Sequence, residues 1–516
     1  MALSFPLGPP LGFNNGDGWW PLAWICLSPL MLVATRSGCP LTAALHGLIA
    51  GVTAFGFLIS WIDPFLIRWA KLTAPEAGAI SLLLVLYVAV YFGVFSLALC
   101  NVRRRWGACG AFLLAPAIWT GLEWLRSVLF TGFPWSLLGY SQMPALVAIQ
   151  VADLTGVFGV SFLVVTGNSL AALMLARLLP ERAEGPGRSA QTGQQRHVSM
   201  VLSVILLSGL GYGVWRLSQP VPGNGDLHAA LVQANVAQSE KWDPKESLRI
   251  ETDHVAMTRE AARHGARLVV WSESSVPISI TRNPDYERRL ADLSLQTGAD
   301  LVVGTVAYEA RDGIQTPFNS AVLVRPGIGV SDRYDKIHLV PFGEYVPLKK
   351  LLFFLESLVN EASDFEPGDQ IRLLRGEGSA LAPLICYEAI FPDLVRRFTK
   401  AGAGILVNIT NDAWYGDTAM PRQHLAQAAM RAVENRRYLL RCASTGISAF
   451  VEPTGRIAMR SRLGEKIVLE STVRSSSEIT WYTATGDVLP ILCVILTLAA
   501  LLTARRAAIP RGSDVR

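Results

Sequence analysis

Ala382-Pro383-Leu384-Ile385-Cys386-Tyr387-Glu388 is a short apolar run that ends in a thiol, an aromatic ring and a carboxylate. A run of this length and character reads as a buried strand, with the thiol placed where the strand opens into a loop. Two other stretches have the same form. Leu268-Val269-Val270-Trp271-Ser272-Glu273 ends an apolar strand in a carboxylate, and Tyr334-Asp335-Lys336-Ile337-His338-Leu339-Val340-Pro341-Phe342-Gly343-Glu344 carries an amine in a loop-like segment. A carboxylate, an amine and a thiol, far apart in sequence but each at or near a strand end, can converge at one edge of a sheet. That set suits covalent acyl chemistry.

Around these stretches the composition divides the chain. The 516 residues are 51% hydrophobic and only 17% charged, with a mean hydropathy of +0.34, too apolar for an ordinary soluble protein. The apolar runs fill residues 19–217, with one more at 488–504, whereas 225–475 has soluble composition. Candidate membrane spans lie at about 19–35, 41–62, 78–101, 107–126, 157–177, 198–217 and 487–504. The 107–126 span is interrupted by Glu123, a carboxylate that must face protein or water if it lies in a bilayer. The net charge of +5 is mild, and no basic patch interleaved with aromatics suggests nucleic acid. The N-terminus has no basic stretch or cleavage site of a removable signal peptide.

Loop arginines orient the spans. Arg103, Arg104 and Arg105 follow the third span; Arg177, Arg182, Arg188 and Arg196 flank or separate the fifth and sixth; Arg505, Arg506, Arg511 and Arg516 follow the last. Placing all three clusters in the cytoplasm puts 218–486 on the outer face. The loop Thr131-Gly132-Phe133-Pro134-Trp135 goes with it, its aromatics suited to a membrane–water interface. The expected organisation is a helical bundle over 1–217, an extracytoplasmic domain over 218–486 and a membrane helix with a cytoplasmic tail over 487–516.

The soluble block alternates strand-like and helix-like segments, which predicts a layered α/β domain. Strands are expected at 227–233, 267–272, 300–306, 319–325, 380–386, 404–409 and 447–451, and helices at 245–264, 284–297, 388–400 and 421–437. Residues 347–366 include the apolar cluster Leu351-Leu352-Phe353-Phe354-Leu355. It reads either as an ordinary core helix or as a lid that dips into lipid and guides an acyl chain.

The chemistry follows from the three residue types. A thiolate attacks a carbonyl and forms a thioester, a carboxylate moves the proton, and a cationic amine beside a backbone N–H, such as that of Tyr387, stabilises the oxyanion. Cys386, Glu273 and Lys336 supply these roles. Glu344 is placed to keep Lys336 charged by an ion pair. His338 and His424 are read as non-catalytic, and neither belongs to a metal-ligand pattern. Cys442, the other thiol of the soluble block, is read as a reduced, buried residue.

The strings around the three residues resemble the nitrilase (carbon–nitrogen hydrolase) superfamily, whose members carry a Glu–Lys–Cys triad in an α-β-β-α sandwich. Gln238-Ser239-Glu240-Lys241-Trp242-Asp243-Pro244, Pro341-Phe342-Gly343-Glu344-Tyr345-Val346-Pro347, Asn411-Asp412-Ala413-Trp414-Tyr415-Gly416, Thr131-Gly132-Phe133-Pro134-Trp135 and Gly139-Tyr140-Ser141-Gln142 are similar to the apolipoprotein N-acyltransferase family within it. The resemblance spans nearly the whole chain. It implies transfer of an acyl chain from a phospholipid, by way of the cysteine, to the N-terminal amine of an S-diacylglyceryl cysteine. It implies Glu273 as base, Lys336 as oxyanion stabiliser and Cys386 as nucleophile. Glu344, Tyr387 and Glu388 match supporting positions, Trp242 matches a functional aromatic, and Trp414 and Tyr415 fall in a segment that could form a mobile lid. It implies no cofactor or metal, a monomer, and a place in the bacterial inner membrane. The family has eight spans, against about seven counted here. A membrane-anchored amidase acting on a small amide, and a catalytically silent protein that binds lipid or lipoprotein, are the alternatives.

Overall fold

The computed structural model describes residues 1–6, 18–179, 188–243, 245–311, 314–341, 343–345 and 365–506. Apart from residues 365 and 366, the apolar segment 347–366 lies outside the described residues, as does Phe342. The chain divides into two compact units: Met1–Asp63, Ala74–Gln219 and Thr485–Arg516 form one, and Pro64–Thr73 with Pro220–Ala484 forms the other.

The first unit is helical. Its helices are α1 (Ser28–Arg36), α2 (Pro40–Leu58), α4 (Ala74–Val128), the short α5 (Leu146–Ile149), α6 (Ala152–Leu178), α7 (Arg188–Leu217) and the terminal α14 (Val488–Arg506). A further short helix, α3 (Ile62–Trp69), begins in this unit and ends in the other. Among the described residues, α2, α4, α6 and Gly193–Leu217 of α7 are long and apolar enough to cross a membrane. Two of the expected spans, 78–101 and 107–126, run together in α4. Gly107 breaks that helix with φ 72° and ψ 175°, just past Arg103-Arg104-Arg105. The expected span at 19–35 is not one helix. A 3-10 turn over Trp20–Trp24 is followed by α1, and Asn168 of α6 satisfies the freed backbone. Its Oδ1 accepts from Leu27 N at 2.7 Å and its Nδ2 donates to Ala23 O at 2.7 Å. Irregular backbone in an apolar setting persists where protein groups replace water in this way.

The loop at 131–135 and its continuation to Leu138 are tied to α4 by two polar contacts. Trp135 is buried, 5.1 Å from the Trp61 ring. Glu123 Oε1 accepts from Leu138 N at 2.7 Å, and Arg126 donates to Trp135 O at 3.0 Å. Both side chains are buried, and each would be costly there without such a partner.

The second unit holds two six-stranded sheets. One has the order β12-β1-β2-β3-β4-β5 and the other β11-β10-β9-β8-β7-β6. The strands are β1 (Asn224–Gln233), β2 (Leu268–Trp271), β3 (Asp300–Arg311), β4 (Ile314–Arg325), β5 (Gly329–Asp335), β6 (Leu374–Gly376), β7 (Ser379–Ile385), β8 (Ile405–Thr410), β9 (Leu439–Ala443), β10 (Ala449–Val451), β11 (Ile457–Arg460) and β12 (Ile467–Ser475). The helices are α8 (Gln238–Lys241), α9 (Ser247–Arg263), α10 (Pro284–Thr297), α11 (Pro392–Lys400), α12 (Met420–Asn435) and α13 (Trp481–Thr485). Helix α10 covers the expected range, for local reasons. The Asn283 side chain caps Tyr286 N at 2.9 Å, Pro284 opens the helix, and Gly298 closes it at φ 66°.

Strand alternation builds the layers. Ala230, Val232, Val269, Trp271, Leu301 and Val303 pack with Ile250 and Met257 of α9 and with Tyr286, Leu290 and Leu293 of α10. The opposite face of this sheet meets the second sheet. Cys442 of β9 donates its thiol to Val232 O at 3.3 Å and Val270 O at 3.2 Å, so β9 lies over β1 and β2. With α11 against β7 and α12 against β9, the unit is an α-β-β-α sandwich. Strands β1, β2 and β3 pair in parallel, and β4 and β5 continue antiparallel, so β5 runs in the direction of β2. Glu273 and Lys336 therefore leave the same edge of one sheet, and Cys386 follows the end of β7 in the other.

Candidate active site

Three strand ends supply the central groups. Glu273 lies two residues beyond β2, in a backbone turn where Ser274 has φ 43°. The turn presses on β3: a Cβ on Gly304 would stand 2.3 Å from Ser272 O and 2.7 Å from the Glu273 Cα, so only glycine fits there. Ser275 N donates to Gly304 O at 3.0 Å and ties the two together. Lys336 comes directly after β5, its N–H bonded to Asn319 O at 2.8 Å. Cys386 follows β7 with φ 51°, a left-handed conformation that costs an L-residue about 1–2 kcal/mol.

Glu273, Lys336 and Glu344 form one buried polar cluster. Lys336 Nζ lies 3.7 Å from Glu273 Oε1 and 2.9 Å from each Glu344 oxygen. Asn319 Nδ2 bridges the two carboxylates, 2.8 Å from an oxygen of each. The second Glu344 oxygen accepts from Val340 N at 2.8 Å. Burial alone would lower the Lys336 amine, but Glu344 and Glu273 overcome it and hold the amine above its ordinary value, charged. Burial pushes the Cys386 thiol up to about 12; Glu273 adds to the rise, while Lys336 opposes it. The resting cysteine is therefore a neutral thiol, and attack requires a base to take its proton.

Glu388 joins the cysteine to the lysine. One oxygen accepts from Tyr334 Oη at 2.6 Å, Ile337 N at 2.8 Å and His338 N at 3.2 Å; the other accepts from Ile385 N at 2.8 Å. It thus clamps Tyr334, the two residues after Lys336 and the residue before Cys386. Burial raises its carboxyl to about 7 against these donors. His338, stacked 3.7 Å from the Phe391 ring, is depressed to about 4 by burial and by Lys336, and is neutral. Tyr387 packs edge-on to Phe391 at 5.1 Å. Trp242 is half exposed, at the end of α8.

Lys241, Asn408 and Arg441, which the sequence did not single out, complete the site with His424 and Asp412. Lys241 is 1% exposed and donates to the Glu273 carbonyl at 2.8 Å; burial lowers its amine to about 8. On the other side of the cysteine, the Cys386 carbonyl accepts from His424 Nε2 at 3.2 Å and Asn408 Nδ2 at 3.4 Å. A carbonyl only accepts, so Nε2 carries the proton. Burial and Arg441 keep His424 neutral, and its Nδ1 then receives Arg441 Nη2 at 3.1 Å. Arg441 also pairs with Asp412 Oδ2 at 2.8 Å and bonds to Asn408 Oδ1. The Asp412 carboxyl is held down to about 2: burial opposes ionisation, but Arg441 and the Thr410 hydroxyl, which donates to Oδ1 at 3.0 Å, prevail. A lone buried Lys, Asn or Arg in a strand or helix has no local pattern that marks it.

Trp414 and Tyr415 lie on the turn that leaves β8. This turn starts beside the cysteine, because Ile409 of β8 pairs with Ile385 of β7. A metal-binding group of His, Cys, Asp and Glu is absent among the described residues.

A family model described as the apolipoprotein N-acyltransferase N-terminal domain matches residues 2–170, and one described as carbon-nitrogen hydrolase matches residues 228–482. A Geobacter metallireducens protein named apolipoprotein N-acyltransferase is 38% identical, over 99% of this chain and 94% of its own length. One of the same name from Methylococcus capsulatus is 32% identical, over 90% of this chain and 89% of its own. Among solved structures, Saccharomyces cerevisiae Nit3, a member of branch 10 of the nitrilase superfamily, is similar over 57% of this chain and 98% of its own, at 17% identity and a TM-score of 0.38.

Proposed function

The chain belongs to the apolipoprotein N-acyltransferase family, and from that premise we propose that it transfers an acyl chain from a phospholipid to the N-terminal amine of a diacylglyceryl lipoprotein through a thioester on Cys386. As a family member it is a bacterial membrane acyltransferase with a lipoprotein substrate. The observation that carries the mechanism is the buried Glu273–Lys336–Glu344 cluster, electrostatically coupled to a thiol that is neutral at rest.

In the first half-reaction Glu273 takes the Cys386 proton as sulfur attacks the ester carbonyl. Lys336, kept cationic by its two carboxylates, and the Tyr387 N–H face the oxyanion. The C–O bond breaks, the lysophospholipid oxygen leaves with the proton from Glu273, and the acyl chain remains on sulfur. In the second half-reaction the neutral amine of the lipoprotein attacks the thioester. Its proton passes through Glu273 to the departing sulfur, which leaves an amide and a free thiol. Glu344 orients Lys336, and Glu388 fixes the backbone on both sides of the reaction. Trp242, Tyr387, Trp414 and Tyr415 contact or enclose the substrates.

The arginine clusters support a topology in which 218–486 is extracytoplasmic, between the bundle of 1–217 and the last helix, in the inner membrane. The protein acts as a monomer without a cofactor. The test is intact-mass spectrometry of the purified protein with phospholipid and no acceptor, beside Cys386→Ser. A gain of one acyl chain, labile to neutral hydroxylamine and discharged by a diacylated lipopeptide, is expected for the parent alone. No adduct, with turnover of small amides, would instead point to an amidase.

A further inference from the structure

A segment remote in sequence from the catalytic residues reaches the turn that carries Trp414 and Tyr415. Residues Pro64–Thr73 connect α2 to α4, both in the helical unit, yet they cluster with the catalytic one. The contacts are specific. Trp69 Nε1 donates to Trp414 O at 2.8 Å. The two indole rings meet edge to face at 5.0 Å. Phe65, one helical turn earlier, stacks on Tyr415 with ring centroids 5.1 Å apart and planes 26° apart, and meets Trp414 at 6.4 Å. The i, i+4 spacing of Phe65 and Trp69 puts both rings on one face of α3.

The same turn is fastened at its start. Asp412 is locked to Arg441 at 2.8 Å, and Asn411 Nδ2 donates to Gln238 of α8 at 2.9 Å. Beyond Asp412 the aromatic rings of the turn pack against Phe65 and Trp69. Gly416, with φ 56°, and the exposed Asp417, paired with Arg422 at 2.9 Å, follow. The start of the turn therefore belongs to the cysteine network, and α3 packs against the part that carries the aromatic rings.

We propose that Phe65 and Trp69 are positioning residues that clamp the Trp414–Tyr415 turn over Cys386 and so exclude water from the thioester. This rests on the acyltransferase reading above. A thioester that waits for a lipopeptide must outlast attack by water, and an aromatic wall held from outside the catalytic sequence block provides that protection. The proton chemistry at Glu273 and Lys336 is untouched, so the clamp acts on the lifetime of the intermediate and much less on its formation.

The experiment uses the full chain in phospholipid nanodiscs and follows the acyl adduct by intact mass after excess donor is removed. Phe65→Ala should shorten the adduct lifetime in water about five- to tenfold, a loss on the scale of one aromatic pair. Its rate of formation should stay within about twofold. Trp69→Phe keeps a ring but loses the bond to the Trp414 carbonyl, and should fall between. Phe65→Tyr should restore the parent lifetime, which a general loss of structure would not allow. Unchanged lifetimes in both Phe65→Ala and Trp69→Phe, in a preparation whose parent forms the thioester, would overturn the clamp alone. A Phe65→Ala variant that slows formation as much as it shortens lifetime, with no rescue by Phe65→Tyr, would also overturn it. A parent that forms no adduct removes the acyltransferase reading itself.

Discussion

The Glu388 carboxylate accepts the Tyr334 hydroxyl at 2.6 Å, which binds the 3-10 turn that follows β7 to the end of β5. Three backbone N–H groups, from Ile337, His338 and Ile385, complete its shell. Glu388→Gln keeps the shape but turns an –NH2 group toward at least one of these donors. A buried polar group left unmatched costs about 1–3 kcal/mol, so the melting temperature should fall by several degrees and thioester formation by at least about tenfold. Tyr334→Phe removes one donor only and should lose about 1 kcal/mol. Scanning fluorimetry beside intact-mass kinetics checks both. Equal stability of Glu388→Gln and the parent would show that the carboxylate is dispensable as a brace.

Asn319 bridges Glu273 and Glu344, with its Nδ2 at 2.8 Å from each. The two carboxylates share the single ammonium of Lys336, and the amide keeps them compatible. Asn319→Asp puts a third carboxylate into the cluster and removes the bridging donor. One of the three must then take a proton, and where that proton rests on Glu273 the base is lost. Thioester formation should drop by about a hundredfold, within the range of general base catalysis. A stopped-flow or quenched acylation assay reads this directly. A variant within twofold of the parent would mean that Asn319 is only packing.

The fold and the central residues were legible where the chemistry is concentrated at strand ends. Apolar runs such as 268–271 and 379–385 carry their own signal, with Glu273 two residues past the first and Cys386 directly after the second. The missed strands are those with little apolar content or with a charge inside. Strand β5 reads Gly-Val-Ser-Asp-Arg-Tyr-Asp, and β9 carries the fully buried Arg441. An arginine in a strand argues for exposure until Asp412 and Asn408 are seen to satisfy it. Asn319, Lys241 and Phe65 were illegible for a related reason. Each acts through a partner tens to hundreds of residues away, and no local periodicity encodes such a contact.

Lys241 gives a pH dependence of stability. Burial lowers its amine to about 8 in the folded protein, below the value of roughly 10.4 expected when unfolded. The unfolded chain therefore binds more protons between these values, and this residue makes stability rise with pH across that window. Lys241→Met removes the effect. The difference in melting temperature between parent and variant should move in favour of the parent from pH 8 to pH 10, by a few degrees. A constant difference across that range would mean that the amine is not desolvated. At pH 7 the variant should also acylate more slowly, by about tenfold, because the Glu273 carbonyl loses its donor.

His424 separates positioning from proton transfer. Its Nε2–H holds the Cys386 carbonyl at 3.2 Å, and its Nδ1 faces Arg441 and Asp412. It therefore points at the backbone of a cysteine strained at φ 51°, and the bond helps to hold that conformation. His424→Gln retains a side-chain N–H donor at a similar reach and should keep acylation within about fivefold of the parent. His424→Leu leaves the carbonyl with the longer Asn408 bond and should lose about ten- to fiftyfold, matching one to two buried hydrogen bonds. A general base would give a different pattern, in which both variants fall together by the 10²–10⁴ expected of lost proton transfer. The Asp412–Arg441 pair behind it adds an acid limit. The folded carboxyl sits at about 2, below its unfolded value, so its support is complete above pH 4 and is lost as pH falls toward 2. In Asp412→Asn that loss should be absent, while stability at pH 7 drops because Arg441 is left buried without its counter-charge.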